Sequence, residues 1–247
     1  MEWTESDGLR LLTAKLPGAS AVFTTRLGGV SEGDFASLNL GVLTDDDEDT
    51  VRENRRLLTT ALRRDPNGVL LGFQEHASAI ARREWASDPN GWLAALVPEP
   101  ADGQATANPD LTPLVQVADC LPVALAGAGG VAMLHCGWRG LADGIVAKGV
   151  AEVGATAAAV GPGIGPCCFE VGPEVLQRFA HLGDGVVSGR MLNLHEVTRR
   201  LLAAAGVEDV EVCGLCTSCE DELFFSHRRD RGRTGRQAGL VWRERDA

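Results

Sequence analysis

The chain has 247 residues, 45% of them apolar, with no long polar tract between them; that is enough for one sizeable core and argues against disorder. Its 23 basic and 34 acidic side chains give a formal net charge of −11, which excludes broad electrostatic attraction to nucleic acid or to an anionic membrane. The opening MEWTESDGLR lacks a basic stretch followed by an apolar one, and no apolar run reaches ~18 residues, so neither a secretion signal nor a membrane span is expected.

The first apolar run, Ala21–Arg26, reads as a strand that enters a Gly-rich turn at 27–33. An acidic loop at 45–49 leads to a helix, with Thr50 and Glu53 as a capping box and Val51, Leu57, Leu58 and Leu62 on one face. Short apolar runs bounded by Gly, Pro or Asp then predict buried strands at 69–73, 114–117, 121–125 and 130–135. A helix over 143–153 precedes a strand at 157–160. Helices follow over 173–182, with Pro173 in a first turn, and over 194–205. Strands close the chain at 210–213, 223–225 and 239–242. Strands outnumber helices and do not follow strict βαβ order, so the sequence predicts a single α+β domain over 1–247 built on a large mixed sheet system.

Three segments place a ligand-type residue at or just after a strand: GFQEHA with His76, VADCLPV with Cys120, and HCGWRG with His135. Strand ends are where a rigid scaffold presents reactive groups. Two histidines and a cysteine suit Zn²⁺ or a copper ion and leave a fourth position open, as in a catalytic site. Cys120 and His135 could equally form a nucleophile–base dyad, and a buried thiol beside hydrogen-bonded histidines is the plain structural alternative. Seven cysteines without a signal peptide point to free, metal-bound or catalytic thiols in the cytosol.

Cys213-x-x-Cys216-x-x-Cys219 has the look of a zinc or iron–sulfur run but no fourth ligand close by in sequence; it is expected to be a cluster of buried thiols, with one member lining a pocket. The loop Gly161–Glu170 follows a strand and could turn backbone N–H groups to a phosphate, or simply be a stiff connection. The run from Phe224 to Arg236 combines apolar anchors with guanidinium groups suited to phosphate or carboxylate.

Together, FTTRLGGVSEGDFASLNLG at 23–41, GFQEHA at 72–77, VADCLPV at 117–123, HCGWRG at 135–140, GPGIGPCCFEVG at 161–172 and CTSCEDELFFSHRRDRGRTGR at 216–236 resemble the YfiH/YlmD family, formerly described as laccase-domain or multicopper polyphenol oxidase proteins. The resemblance implies a layered α/β/β/α sandwich with mixed sheets. It implies a metal, usually zinc, on His76, Cys120 and His135, with copper as the older assignment. It also implies phosphorolysis of adenosine, inosine and methylthioadenosine, with adenosine deaminase activity, so that purine nucleosides and inorganic phosphate are the expected partners. A Cys/His hydrolase or deamidase, including a role in peptidoglycan editing, and a copper-dependent oxidase are the alternatives. The chain departs from the pattern at Glu75, Ala77, Phe169 and His227; it has no Tyr, which is common in the family at the last two positions.

On this reading Arg139, with Arg26 or Arg228, holds phosphate or ribose oxygens, and Asn39 orients a sugar hydroxyl. For deamination, a water activated by the metal would attack the purine, with Asp119 or Glu75 moving protons. Cys120, His135, Asp119 and Arg139 are thus the candidate catalytic groups.

Overall fold

Strict alternation along the central strands dictates two faces per sheet. In Leu121–Gly127, Leu121, Val123 and Leu125 point one way and Ala124 and Ala126 the other; in Gly130–Cys136, Ala132, Leu134 and Cys136 oppose Val131 and Met133. The computed structural model, which describes residues 1–85, 91–93 and 99–245, resolves this pattern into two six-stranded mixed sheets.

The first sheet runs, in spatial order, through Glu2–Ser6, Leu9–Leu16, Ala19–Thr24, Gln237–Arg243, Thr112–Val117 and Val69–Leu70. The second runs through Asp209–Val212, Ala155–Val160, Leu121–Gly127, Gly130–Cys136, Gly103–Thr106 and Ile80–Arg82. Their inner faces pack on each other through small side chains, among them Ala14, Ala21, Ala124, Ala126 and Ala159, around Phe23 and Met133. The approach is tight: a Cβ on Gly239 of the first sheet would lie 2.6 Å from Pro122 Cβ of the second. The outer face of the first sheet is covered by the helix Glu48–Ala61 and by Trp92. That of the second is covered by the helices Trp138–Ala142, Ile145–Val153, Pro173–Phe179 and Leu194–Ala204. The result is the expected α/β/β/α layering. No helix among the described residues is long and apolar enough to cross a membrane.

Several local expectations change. The first long helix begins earlier, because Asp47 rather than Thr50 is its N-cap and accepts the Thr50 N–H at 2.9 Å. The helix expected over 143–153 begins at Ile145, after Gly144 with φ 84°, and a further short helix, Trp138–Ala142, precedes that glycine. Leu223–Phe225 is not a strand: Phe224 and Phe225 are fully buried, but the Phe225 N–H donates to the Gln237 side chain rather than to a ladder. Two N-terminal strands, Glu2–Ser6 and Leu9–Leu16, precede the first one read from the sequence.

Candidate active site

The chain leaves the first sheet at Val117 and enters the second at Leu121, so Ala118, Asp119 and Cys120 form the crossover between layers. This three-residue connection demands an unusual backbone, and Asp119 adopts φ 92°. Antiparallel register puts Pro122 opposite His135 and Leu121 opposite Cys136, which brings the end of one strand beside the start of the other. His135 shares the inward parity of Val131 and Met133 and is only 4% exposed.

His76 arrives from a loop held by one carboxylate. Asp102, 1% exposed at the start of the strand Gly103–Thr106, accepts N–H bonds from Glu75 at 3.1 Å, His76 at 3.0 Å and Ala77 at 2.8 Å. His76 is left-handed, with φ 61°, and a turn of this kind converges successive N–H groups on one anion. The same carboxylate lies 2.7 Å from His135 Nδ1. Asp102 thereby fixes the His76 backbone and the His135 ring: His135 Nδ1–H is donated to it and Nε2 is left free to act as a ligand or base. Burial alone would raise the Asp102 carboxyl, but the bond to His135, its charge, and the loop N–H groups hold it below its ordinary value.

The donor atoms of His76, Cys120 and His135 lie within 4.8 Å of one another, and the two rings meet edge to face with centroids 4.8 Å apart. Gly137 leaves the space between them; a Cβ there would come within 2.9 Å of Cys120 Sγ and 3.1 Å of His76 Cδ2. Burial pushes the Cys120 thiol up, yet the charge of His135 and hydrogen bonds from both rings outweigh it and bring the thiol down to about 6. Burial opposes charge on His135 as well, and Cys120 and Asp102 reverse this, raising the imidazole to about 9. Two imidazoles and one thiolate, with a carboxylate behind one ring, form a donor set that fits zinc or copper.

These groups open into a cavity of about 940 Å³. Arg139, Arg228 and Arg236 line it, as do Trp138, Phe169 and His227. Arg139 stacks on Trp138 at 4.5 Å, and Arg228 lies over Phe169 at 5.3 Å.

Other expected site residues stand elsewhere. Asn39 is fully buried and does not line the cavity: its amide N donates to Thr44 and Asp46, and its carbonyl accepts from the N–H groups of Gly41 and Arg236. Arg26 is turned away as well, donating to the carbonyls of Ala36 and Asp221. Asp119 lines the cavity, but its two carboxylate oxygens accept from Thr217 Oγ1 and the Arg228 N–H, each at 2.7 Å. It therefore tethers the arginine-bearing segment to the Cys120 turn instead of standing free as a proton carrier. Glu75 is exposed and outside the cavity wall.

Sequence reading missed Asp102 and undervalued Arg236. The signal for the first was a lone carboxylate between Ala101 and Gly103 at the head of a buried strand. Burial lowers the pKa of Arg236, and the charges of Asp119 and Cys120 offset this only in part.

Two facing mixed sheets between helical layers, with a His/Cys/His group at the sheet-to-sheet crossover, define the structural class. A family model described as multi-copper polyphenol oxidoreductase laccase matches residues 20–244, and the chain belongs to that family. It is 38% identical over 237 residues to the purine nucleoside phosphorylase PA4543 of Pseudomonas aeruginosa, covering 90% of this chain and 92% of that one. It is 35% identical to the purine nucleoside phosphorylase YlmD of Geobacillus stearothermophilus, covering 96% and 95%. The crystal structure of the hypothetical protein YfiH of Bacillus licheniformis superposes with a TM-score of 0.88 at 32% identity, covering 98% of this chain and 99% of that one.

Proposed function

We propose that the protein is a purine nucleoside phosphorylase whose reaction takes place in the cavity beside His76, Cys120 and His135, with adenosine, inosine and methylthioadenosine as the substrate class. The observation that carries this reading is the conjunction of that ligand group with Arg139, Arg228, Arg236, Trp138 and Phe169 around one cavity of nucleoside size. Arg139, Arg228 and Arg236 bind inorganic phosphate as a dianion, and their forked donors orient one oxygen toward C1′. That oxygen bonds to C1′ as the bond from C1′ to the purine nitrogen breaks; the base takes up a proton, and the sugar 1-phosphate remains, ribose 1-phosphate from adenosine or inosine. Trp138 and Phe169 offer faces for the purine, and His227 is the imidazole on that wall able to hand over the proton. His76, Cys120 and His135 would hold zinc, or copper, which supplies Lewis acidity and positive charge beside the departing base. Asp102 orients two of those ligands, and Asp119 holds the arginine segment against the third.

A second reading rests on a specific feature. Asp102, His135 and Cys120 also form an orienter–base–thiol chain with a lowered thiol pKa, the arrangement of a cysteine hydrolase or deamidase. Deamination of adenosine is less well served, because Asp119 is engaged and Glu75 lies outside the wall.

The test is product analysis with adenosine, with and without phosphate. Phosphorolysis predicts adenine and ribose 1-phosphate only when phosphate is present, and neither with Cys120→Ala. Inosine formed without phosphate would assign deamination instead. Inert adenosine, together with amide hydrolysis that survives metal chelation and stops on alkylation of Cys120, would replace this function with the hydrolase.

A further inference from the structure

Of the six cysteines that take no part in the chemistry above, four stand together. Cys167 and Cys168 close the Gly/Pro loop after the strand Ala155–Val160, and Cys216 and Cys219 open the segment that carries the arginines. The fold brings all four sulfurs within 4.8 Å of one another. Cys167 and Cys168 each lie 3.4 Å from Cys219, across 52 and 51 residues of sequence. A tetrahedral site with metal–sulfur bonds of about 2.3 Å has S···S edges of roughly 3.8 Å, within that spread. Cys213, the remaining member of the Cys-x-x-Cys-x-x-Cys run, lies outside the group. The apparent triplet is therefore a Cys-x-x-Cys pair completed by the vicinal pair of another loop.

The backbone is arranged for thiolate. Gly165 N–H donates to Cys216 Sγ at 3.1 Å, and the Cys216–Cys219 turn is closed by the Cys219 N–H on the Cys216 carbonyl at 3.2 Å. Four sulfurs held this close, with a backbone N–H turned to one of them, match the spacing of ligands on a shared cation. Four sulfur donors without an oxygen or nitrogen ligand select zinc over a hard cation, and four protein ligands leave no open position.

We propose that Cys167, Cys168, Cys216 and Cys219 form a second metal centre, a closed four-thiolate zinc site that clamps the 161–172 loop to the 213–236 segment. Little else joins them in regular structure: Gly163 pairs with Cys216 as an isolated bridge. The clamp sits behind the cavity wall, because Phe169 follows Cys168 and Arg228 donates to the Glu170 carbonyl at 2.9 Å. Its role is to fix the arginine wall; it makes no contact with substrate chemistry.

Zinc per chain, measured on the full chain purified under reducing conditions, tests this without reference to activity. The wild type is expected to hold two equivalents, His76→Ala/Cys120→Ala one, Cys167→Ser/Cys219→Ser one, and the quadruple variant none. Cys213→Ser should change nothing. If the thiol variants fail to fold, cobalt loaded into His76→Ala/Cys120→Ala decides, and the intense visible and charge-transfer bands of tetrathiolate cobalt are expected. No metal in His76→Ala/Cys120→Ala, disulfides among these four residues under reducing conditions, or iron with acid-labile sulfide would each overturn the proposal. Failure of the first centre would instead remove the Cys120-dependent equivalent and leave this one.

Discussion

The two walls of the cavity are built by different means. The His/Cys/His wall stands on strand ends, where register places His135 opposite Pro122 and one carboxylate pins the His135 ring and the His76 backbone. The arginine wall has almost no regular structure. It is held by side chains that reach backbone: Asp119 takes the Arg228 N–H, Arg229 donates to the carbonyls of Thr217 and Phe224, and Arg228 to that of Glu170. A sheet fixes its edge groups through many backbone bonds that no single side chain controls. A loop wall depends on each of a few polar anchors, so its failures should be local and should show in substrate binding before metal binding.

The largest effect expected from breaking this contrast is at Asp102. Asp102→Asn keeps the size but turns an amide N–H toward donors that need an acceptor, and it no longer fixes the His135 tautomer. Zinc affinity should fall by about 10–100-fold, measured by competition with a chromophoric chelator, with phosphorolysis falling in parallel. An unchanged affinity would mean that the left-handed turn at His76 holds itself. On the other wall, Asp119→Asn exchanges the charged acceptor of the Arg228 N–H for a neutral amide oxygen, at a cost of about 1 kcal/mol. Here KM for phosphate should rise while zinc content stays the same; equal damage to both would erase the distinction between the walls.

Gly137→Ala sharpens the first wall. The added methyl meets Cys120 Sγ and His76 Cδ2, neither of which can move without leaving the ligand group. Overpacking of this kind costs about 1 kcal/mol or more, and the strain falls on the ligands rather than on the core. About tenfold weaker zinc binding with little change in melting temperature is the expected signature.

The same contrast explains what the sequence disclosed. Strands at 121–127 and 130–136 are legible because each is a short continuous apolar run bounded by Gly, Pro or Asp, and is buried along nearly its whole length, with Cys120 and His135 at their ends. Asp102 was invisible because its partners, three backbone N–H groups and an imidazole 33 residues away, leave no pattern in side-chain type. Asn39 and Arg26 differ in the opposite way: polar residues in a Gly-rich segment look like ligand groups, but Arg26 donates to the carbonyls of Ala36 and Asp221, and Asn39 donates to the Thr44 and Asp46 side chains while its carbonyl accepts two backbone N–H groups. The four-thiol group was half visible, because Cys-x-x-Cys is a local pattern while the vicinal pair arrives only through the bridge between Gly163 and Cys216. Local order is written in periodicity; a loop wall is written in tertiary contacts that a linear reading cannot pair.

The smallest effect lies away from both walls, on the helix Leu194–Ala204. Glu196 is paired with Arg199 and Arg200; the bond from Arg199 lowers its carboxyl most, burial opposes this, and Arg200 adds to the lowering, which reaches about 2 against an ordinary 4.5. A depressed carboxyl contributes stability above its unfolded pKa and loses it as pH falls through the folded one. Glu196→Gln should therefore cost a constant amount above about pH 5, and the gap from wild type should close between pH 4.5 and 2. The partners are solvated, so the gap should be about 0.2–1 kcal/mol, read from urea midpoints, with kcat and KM untouched. A change in KM would be the informative surprise: it would mean that Leu194, which lines the cavity at the head of this helix, carries strain from the second sheet's helical layer into the site, and that the walls are not the independent units their construction implies.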